Sequence, residues 1–220
     1  MSEKFLNAIT KSSLEEMEEM INANPDLLNL RSQTGQSPVL TAIYNGANQS
    51  LEFLLEKNIP LDLFEAAAAG KLSRVKELVE SDTKLVSEYA NDGFTALGLA
   101  SYLGYKDIVE YLIDKGADLN STSKNSMKVM PLHSAVATKK VGIAELLLKN
   151  GAKVNATQDS GWTPLHEATL HGQIEMIQLL IRYGADPTIK KDDGETALDV
   201  ALRNNNENVA DLLRIEGIKD

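Results

Sequence analysis

The chain has no cysteine. Disulfide staples, thiolate metal sites and cysteine nucleophiles are therefore all excluded. Aromatic residues are scarce, 5% with a single tryptophan, so a core must be built from closely packed Leu, Ile, Val and Ala. Apolar residues nevertheless fill 43% of the 220 positions, which supports a long shared core rather than disorder. No apolar run approaches the ~20 residues of a membrane span, so no membrane association is expected. The opening Met1-Ser2-Glu3-Lys4-Phe5 lacks an apolar stretch and soon turns acidic at Glu15, Glu16, Glu18 and Glu19. No secretory signal is expected, and the expected compartment is the cytosol. The glycosylation sequons at Asn48, Asn120 and Asn155 are then chance matches in an Asn-rich chain.

Positive charge is also short. Twenty-two Lys and Arg stand against 32 Asp and Glu, a formal charge of −10 with a pI near 4.9. That balance opposes nucleic-acid binding, which needs clustered basic side chains to displace counterions from phosphate. The small basic runs Lys139-Lys140 and Lys190-Lys191 read as solvated surface. An acidic surface is compatible with a basic partner. Signatures of catalysis are missing too: there is no G-x-x-x-x-G-K-[ST], G-x-G-x-x-G or G-x-S-x-G. The many carboxylates read as exposed, with no paired pocket.

What the chain does have is repetition. Thr163-Pro164-Leu165-His166, with Ala168 and Gly172 after it, returns in degraded form along the whole length. With the proline slot as a ruler, Pro131, Pro164 and Ala197 are 33 residues apart. Backwards, Ala96, Asp62, Pro38 and Lys4 follow at steps of 35, 34, 24 and 34. A shift of 58 also lays Ala8 on Ala66, Pro38 on Ala96, Gly46 on Gly104 and Lys57 on Lys115. The insertions Asn24-Pro25-Asp26-Leu27-Leu28 and Asp82-Thr83-Lys84-Leu85-Val86 occur in both pairs of units.

Each slot has a physical job. Thr163 suits an N-cap, its hydroxyl accepting an orphan N–H of the first turn. Pro164 follows at N1, where its missing donor costs nothing. His166 falls at N3, placed to reach back to the cap as in a capping box. Ala168 is small so that a neighbouring helix can approach. Gly172 and Gly184 end the two helices, where positive φ is usual. The second helix carries an apolar stripe, Ile174, Ile177, Leu180 and Ile181, or Ile108, Val109, Leu112 and Ile113. One unit cannot bury that stripe alone, so units must stack.

A register of ~33 residues carrying T-P-L-H-x-A resembles the ankyrin repeat. The resemblance implies an all-α ankyrin-repeat α-solenoid of about seven helix-turn-helix units with short β-hairpin fingers. It would form a single domain over 1–220, with units near 1–33, 34–60, 61–91, 92–124, 125–157, 158–190 and 191–220. The compact, cysteine-free chain without appended domains further resembles a free-standing, bacterial-type ankyrin repeat protein. The expected function is protein–protein interaction, with no enzyme activity, no cofactor, no metal and a monomeric state. Two alternatives stay open: an acidic regulatory inhibitor of a basic protein, and an enzyme with an unrecognised site.

Of the three histidines, His133 and His166 occupy the capping slot. His166-Glu167-Ala168-Thr169-Leu170-His171 looks like a zinc-protease helix, but that motif needs histidines at i and i+4. Here they are five apart, roughly 140° around a helix, so no metal site is expected.

The departures from the pattern carry information. The step from Pro38 to Asp62 is nine short of 33. Lys57-Asn58-Ile59-Pro60-Leu61 then runs almost straight into the next helix, so one finger, between units 2 and 3, should be missing. The expected result is a notch in the row of tips, floored by Ala67, Ala68 and Ala69. The 35-residue step instead lengthens the fifth unit's finger at Ser123-Lys124-Asn125-Ser126-Met127-Lys128. In the family, partners are held by finger tips and by the groove face of the first helices. Carried over, the tip positions are Gln36, Phe94, Trp162 and Glu195. The groove pairs are Tyr44-Asn45, Tyr102-Leu103, Leu170-His171 and Arg203-Asn204. The partner-binding candidates are Tyr44, Phe94, Tyr102, Leu103, Trp162, Leu170 and His171. Phe94 and Trp162 have a second reading, in which they fold over the neighbouring finger and protect the stack.

Overall fold

The computed structural model describes residues 1–57 and 59–216. Asn58, in the short connector, and 217–220, at the end of the last repeat, lie outside the described residues. Among the described residues the regular structure is fourteen α-helices and three short 3₁₀ turns, with no strand. None of these helices is long and apolar enough to cross a membrane. The chain divides into two compact bodies, Met1–Ala96 and Leu97 onward.

The N-terminal body holds α1 (Ser2–Thr10), α2 (Leu14–Ala23), α3 (Pro38–Tyr44), α4 (Asn48–Glu56), α5 (Leu63–Ala68) and α6 (Leu72–Ser81). First helices pack on first helices, α1 on α3 and α3 on α5, and each also packs on its own second helix. Phe5, Ile9, Met17, Leu54, Ala66, Val75 and Val79 are fully buried in this stack. Each of these side chains larger than alanine contributes ~1.5–3 kcal/mol by leaving water. The two shared insertions become 3₁₀ turns, Pro25–Asn29 and Thr83–Ser87. Asn24 and Asp82 cap them by accepting from the Asp26 and Lys84 amides at 3.2 and 3.0 Å.

The C-terminal body holds α7 (Ala96–Leu103, from its second residue), α8 (Lys106–Asp114), α9 (Pro131–Ala137), α10 (Val141–Lys149), α11 (Pro164–Leu170), α12 (Ile174–Arg182), α13 (Ala197–Arg203) and α14 (Glu207–Glu216). Here α9 packs on α11 and α11 on α13, while α10 packs on α8 and α12. The apolar stripe is buried at Ile108, Val109, Leu112, Ile177 and Leu180. Ile174 departs from the expected stripe: it is 38% exposed, and Met176 is fully buried instead. Ile174 is the first residue of α12 and lines a shallow hollow with Lys139, Val141 and His171. Asparagines tie successive loops together, Asn120 Oδ1 accepting from Lys153 N at 2.8 Å and Asn155 Oδ1 from Asp186 N at 2.9 Å. Two of the three sequon asparagines thus have structural jobs.

The cap slots behave as their chemistry dictates. Thr163 Oγ1 accepts from His166 N, and His166 Nδ1 accepts from Thr163 N, both at 3.3 Å. Thr196 and Asp199 form the same box, with Thr196 N donating to Asp199 Oδ2 at 2.8 Å. Gly172 and Gly184 close their helices at φ +61° and +87°. The register of α5 is a correction. Asp62 does not sit at N1 in the proline slot; it is the N-cap, accepting from Glu65 N at 2.8 Å while Glu65 Oε2 accepts from Asp62 N at 2.9 Å. Lacking a proline, the helix begins one residue late at Leu63. Glu65 is consequently buried to 3% exposure, so the carboxylates are not all on exposed faces.

The fingers are turn loops, each closed by one backbone hydrogen bond across its base. Ser32 N donates to Gln36 O, Ala90 N to Phe94 O, Gln158 N to Trp162 O and Lys191 N to Glu195 O, at 2.8–2.9 Å. An isolated antiparallel bridge, Tyr89 to Thr95, is the nearest approach to a hairpin ladder among the described residues.

Candidate binding surface

In the N-terminal body the missing finger leaves no notch of the expected kind. Ala67 and Ala68 are buried, at 0% and 1% exposure, and only Ala69 is half-buried. The fingers on either side of the gap meet directly. A Cβ built on Gly35 would stand 2.6 Å from Asn91 Cβ and 2.9 Å from the Asn91 carbonyl carbon, at a backbone φ of +80°. Only a residue without a side chain permits that approach. Arg31, entering the same finger, reaches the α5 N-cap box, 3.6 Å from Asp62 and 3.5 Å from Glu65. Tyr44, at the end of α3, donates to Asp92 Oδ2 at 2.9 Å. Tyr44 and Phe94 are both half-buried, and Phe94 N lies 3.4 Å from Asp92 Oδ1. A separate hollow of about 690 Å³ lies at the connector, among Ile59, Pro60, Leu61 and Arg74.

The C-terminal body brings two of its candidates together with residues from the lengthened finger. Trp162, Leu170, Met127 and Val129 form the apolar wall of an open hollow of about 330 Å³, rimmed by Glu167 and Asp159. The two fingers are joined beside it by Asp159 N donating to Met127 O at 3.1 Å. Met127 is 48% exposed at the finger tip. His171 is exposed, its Nε2 3.2 Å from Glu167 Oε1. Tyr102 is 46% exposed, with its carbonyl held by Thr138 Oγ1 at 2.7 Å. Leu103, Leu170 and Trp162 are half-buried, so Tyr102 and His171 are the candidates here that project most fully into solvent.

Trp162 also has an internal neighbour that its sequence position does not disclose. Lys191 Nζ lies over its ring, 4.6 Å from the centroid. The same ammonium is 2.8 Å from Asp193 Oδ2 and 2.9 Å from Glu195 Oε2, and Glu195 Oε1 in turn holds Arg203 Nε at 3.0 Å. Lys191 is therefore buried, its side chain 4% exposed, and is not the solvated surface residue its KK sequence implies. Burial alone would lower its pKa, but the hydrogen bonds to Asp193 and Glu195 outweigh that and raise it. Asp193 is correspondingly held below its ordinary value by Lys191.

Two of the three histidines, His133 and His166, sit beneath this surface. His133 Nδ1 accepts from Met130 N at 3.3 Å, which leaves Nε2 as the protonated nitrogen facing Ala156 O at 3.1 Å. Burial lowers its pKa to about 4 despite the neighbouring backbone of Ala156 and Trp162. His166 is 1% exposed and also lowered, again first by burial. Trp162 packs edge-on against it, ring centroids 6.1 Å apart. Met127, Val129 and Lys191 are the residues that sequence reasoning passed over. Only the length of the fifth finger pointed toward the first two.

A family model described as "Ankyrin repeats (3 copies)" matches residues 63–158 and 132–219. A probable 26S proteasome regulatory subunit p28 of Saccharomyces cerevisiae is 30% identical over 161 residues, covering 67% of this chain and 70% of that protein. Alpha-latrocrustotoxin-Lt1a of Latrodectus tredecimguttatus is 33% identical over 56% of this chain but only 9% of its own length. The ankyrin repeat and KH domain-containing protein mask-1 of Caenorhabditis elegans is 33% identical over 57% of this chain and 5% of its own.

Proposed function

Since the chain belongs to the ankyrin-repeat family, whose repeats are protein-interaction modules, we propose that it binds another protein through its finger tips and first-helix ends. In the C-terminal body the binding residues are Tyr102, Leu103, Trp162, Leu170 and His171, joined by Met127. Tyr44 and Phe94 play the same part in the N-terminal body. The observation that carries this reading is the exposure of Tyr102 and Met127, 46% and 48%, in a body whose other apolar side chains are mostly buried. Large amphipathic side chains kept in water at a loop tip and a helix end add nothing to the core, whereas interfaces use such side chains as anchors. The absence of enzyme activity, the monomeric state and a cytosolic location belong to the same proposal. A second reading, inhibition of a basic protein, is supported by the formal charge of −10 and predicts binding that weakens steeply with salt.

A photo-crosslinking side chain placed at Tyr102 or Met127, and at Glu175 on the second-helix face as a control, tests the surface in cells of the native host. One protein captured at the first two positions and not at the third supports it. Capture at Glu175 alone places the interface elsewhere.

A further inference from the structure

The hollow between the lengthened finger and the next one has an uneven chemistry. Its wall is apolar, made by Met127, Val129, Trp162 and Leu170, while the charges on its lining are both negative, Asp159 and Glu167. Neither carboxylate is neutralised by Lys or Arg among the described residues. Asp159 Oδ2 accepts only from Ser160 Oγ at 2.9 Å, and Glu167 Oε1 meets only His171 at 3.2 Å. Glu167 is largely withdrawn from solvent, with 17% of its side chain exposed. Its charge therefore acts across a partly apolar space, where attraction for a cation is stronger than in open water. The Lys191 ammonium over Trp162 is no competitor, because Asp193 and Glu195 already match it. It shows instead that the Trp162 ring accepts a cation.

Resting on the protein-binding reading above, we infer that this hollow receives an arginine side chain from an extended segment of the partner. The aliphatic stem would lie on Leu170 and Met127, and the planar guanidinium would reach Glu167 and Asp159. Arginine fits better than lysine because its weakly hydrated, planar head both stacks on aromatic rings and pairs with carboxylates through two donors. A volume of about 330 Å³ is at the small end for ligand pockets, ~300–1,000 Å³. Together with its open mouth, that suits one long side chain presented by another polypeptide.

The chain's single tryptophan makes the test direct, because Trp162 fluorescence reports from the wall itself. The full chain is titrated with the capped peptide Gly-Leu-Arg-Leu-Gly and with versions carrying norleucine or glutamate in place of arginine. The expected result is a saturable change with the arginine peptide only. Glu167→Gln should weaken it at least about tenfold, the loss expected when a charge-assisted hydrogen bond is removed. Asp159→Asn, in an exposed turn outside the helices, should also weaken it and keeps the test open if the first variant folds poorly. Equal binding of the norleucine peptide, indifference to both substitutions, or no response to any peptide would overturn the inference. The crosslinking test at Tyr102 and Met127 does not depend on arginine, so the wider reading stands or falls separately.

Discussion

The Tyr44 hydroxyl donates to the Asp92 carboxylate at 2.9 Å across 48 residues of sequence, joining the end of α3 to the finger beyond the repeat that has none. Tyr44 is thus a brace in the N-terminal body as well as a candidate contact. Tyr44→Phe should cost ~0.5–1.5 kcal/mol, the net worth of one hydrogen bond. Gly35→Ala should cost more, because the new methyl would meet Asn91 within 3 Å and the backbone would stay at φ +80°. Gly46→Ala is the control, with positive φ of +63° but nothing within 4 Å. Chemical denaturation of the three variants orders them. Equal losses for Gly35 and Gly46 would mean that the two fingers do not touch.

Leu180 has no exposed surface, while Ile174 on the same helix is 38% exposed. Leu180→Ala should cost ~2–5 kcal/mol through lost transfer energy and a cavity. Ile174→Ala should change stability by less than ~0.5 kcal/mol. Denaturant midpoints at constant slope decide it, and a similar loss at both sites would put the stripe where periodicity alone placed it.

Acid should weaken the C-terminal body before its carboxylates titrate. His133 is an ordinary histidine in the unfolded chain, with pKa near 6.5, and is lowered to about 4 when folded. The unfolded state therefore binds the extra proton between those values. Its contribution is fully present above pH ~6.5, is lost as pH falls toward 4, and changes no further below that. The span corresponds to roughly 3 kcal/mol, and His166, lowered in the same direction, adds to it. Stability measured from pH 7 to 4 should fall in the wild type and fall less in His133→Gln. Parallel curves would mean that His133 titrates normally in the folded protein.

Trp162→Ala should destabilise the protein by about 2 kcal/mol, from lost burial, the ring contact with His166 and the Lys191 cation. Lys191→Met, which keeps an apolar stem, should cost less, ~1–2 kcal/mol. Thermal melting of both variants and of the pair checks the coupling. Additive losses would show that Lys191 and Trp162 do not act together.

What could be read from the sequence was what lies within a few residues along the chain. The Thr163–His166 box and the glycine stops need only local spacing, and the 24-residue step announced a missing finger. Its consequence could not be read, because closure depends on Gly35 meeting Asn91, two loops far apart in sequence. Repeat spacing alone puts Asp62 one residue too far into the helix, which starts where Asp62 and Glu65 can cap each other. Lys191 reads as surface because the Lys190-Lys191 run lies beside Asp192 in a loop. What buries it is Trp162, from the preceding finger. The hollow beside Trp162 was half visible, since Trp162 and Leu170 share a repeat but Met127 and Val129 enter from the finger before it.

If Tyr102 and Met127 are exposed for a partner, they should be idle in folding. The deciding measurement is the partner's affinity for Tyr102→Ala/Met127→Ala, read beside the melting temperature of the same double variant. The melting temperature should stay almost unchanged while binding weakens by ~2 kcal/mol or more, the range of anchor residues. Unchanged affinity, or a loss that merely follows a drop in melting temperature, would contradict it.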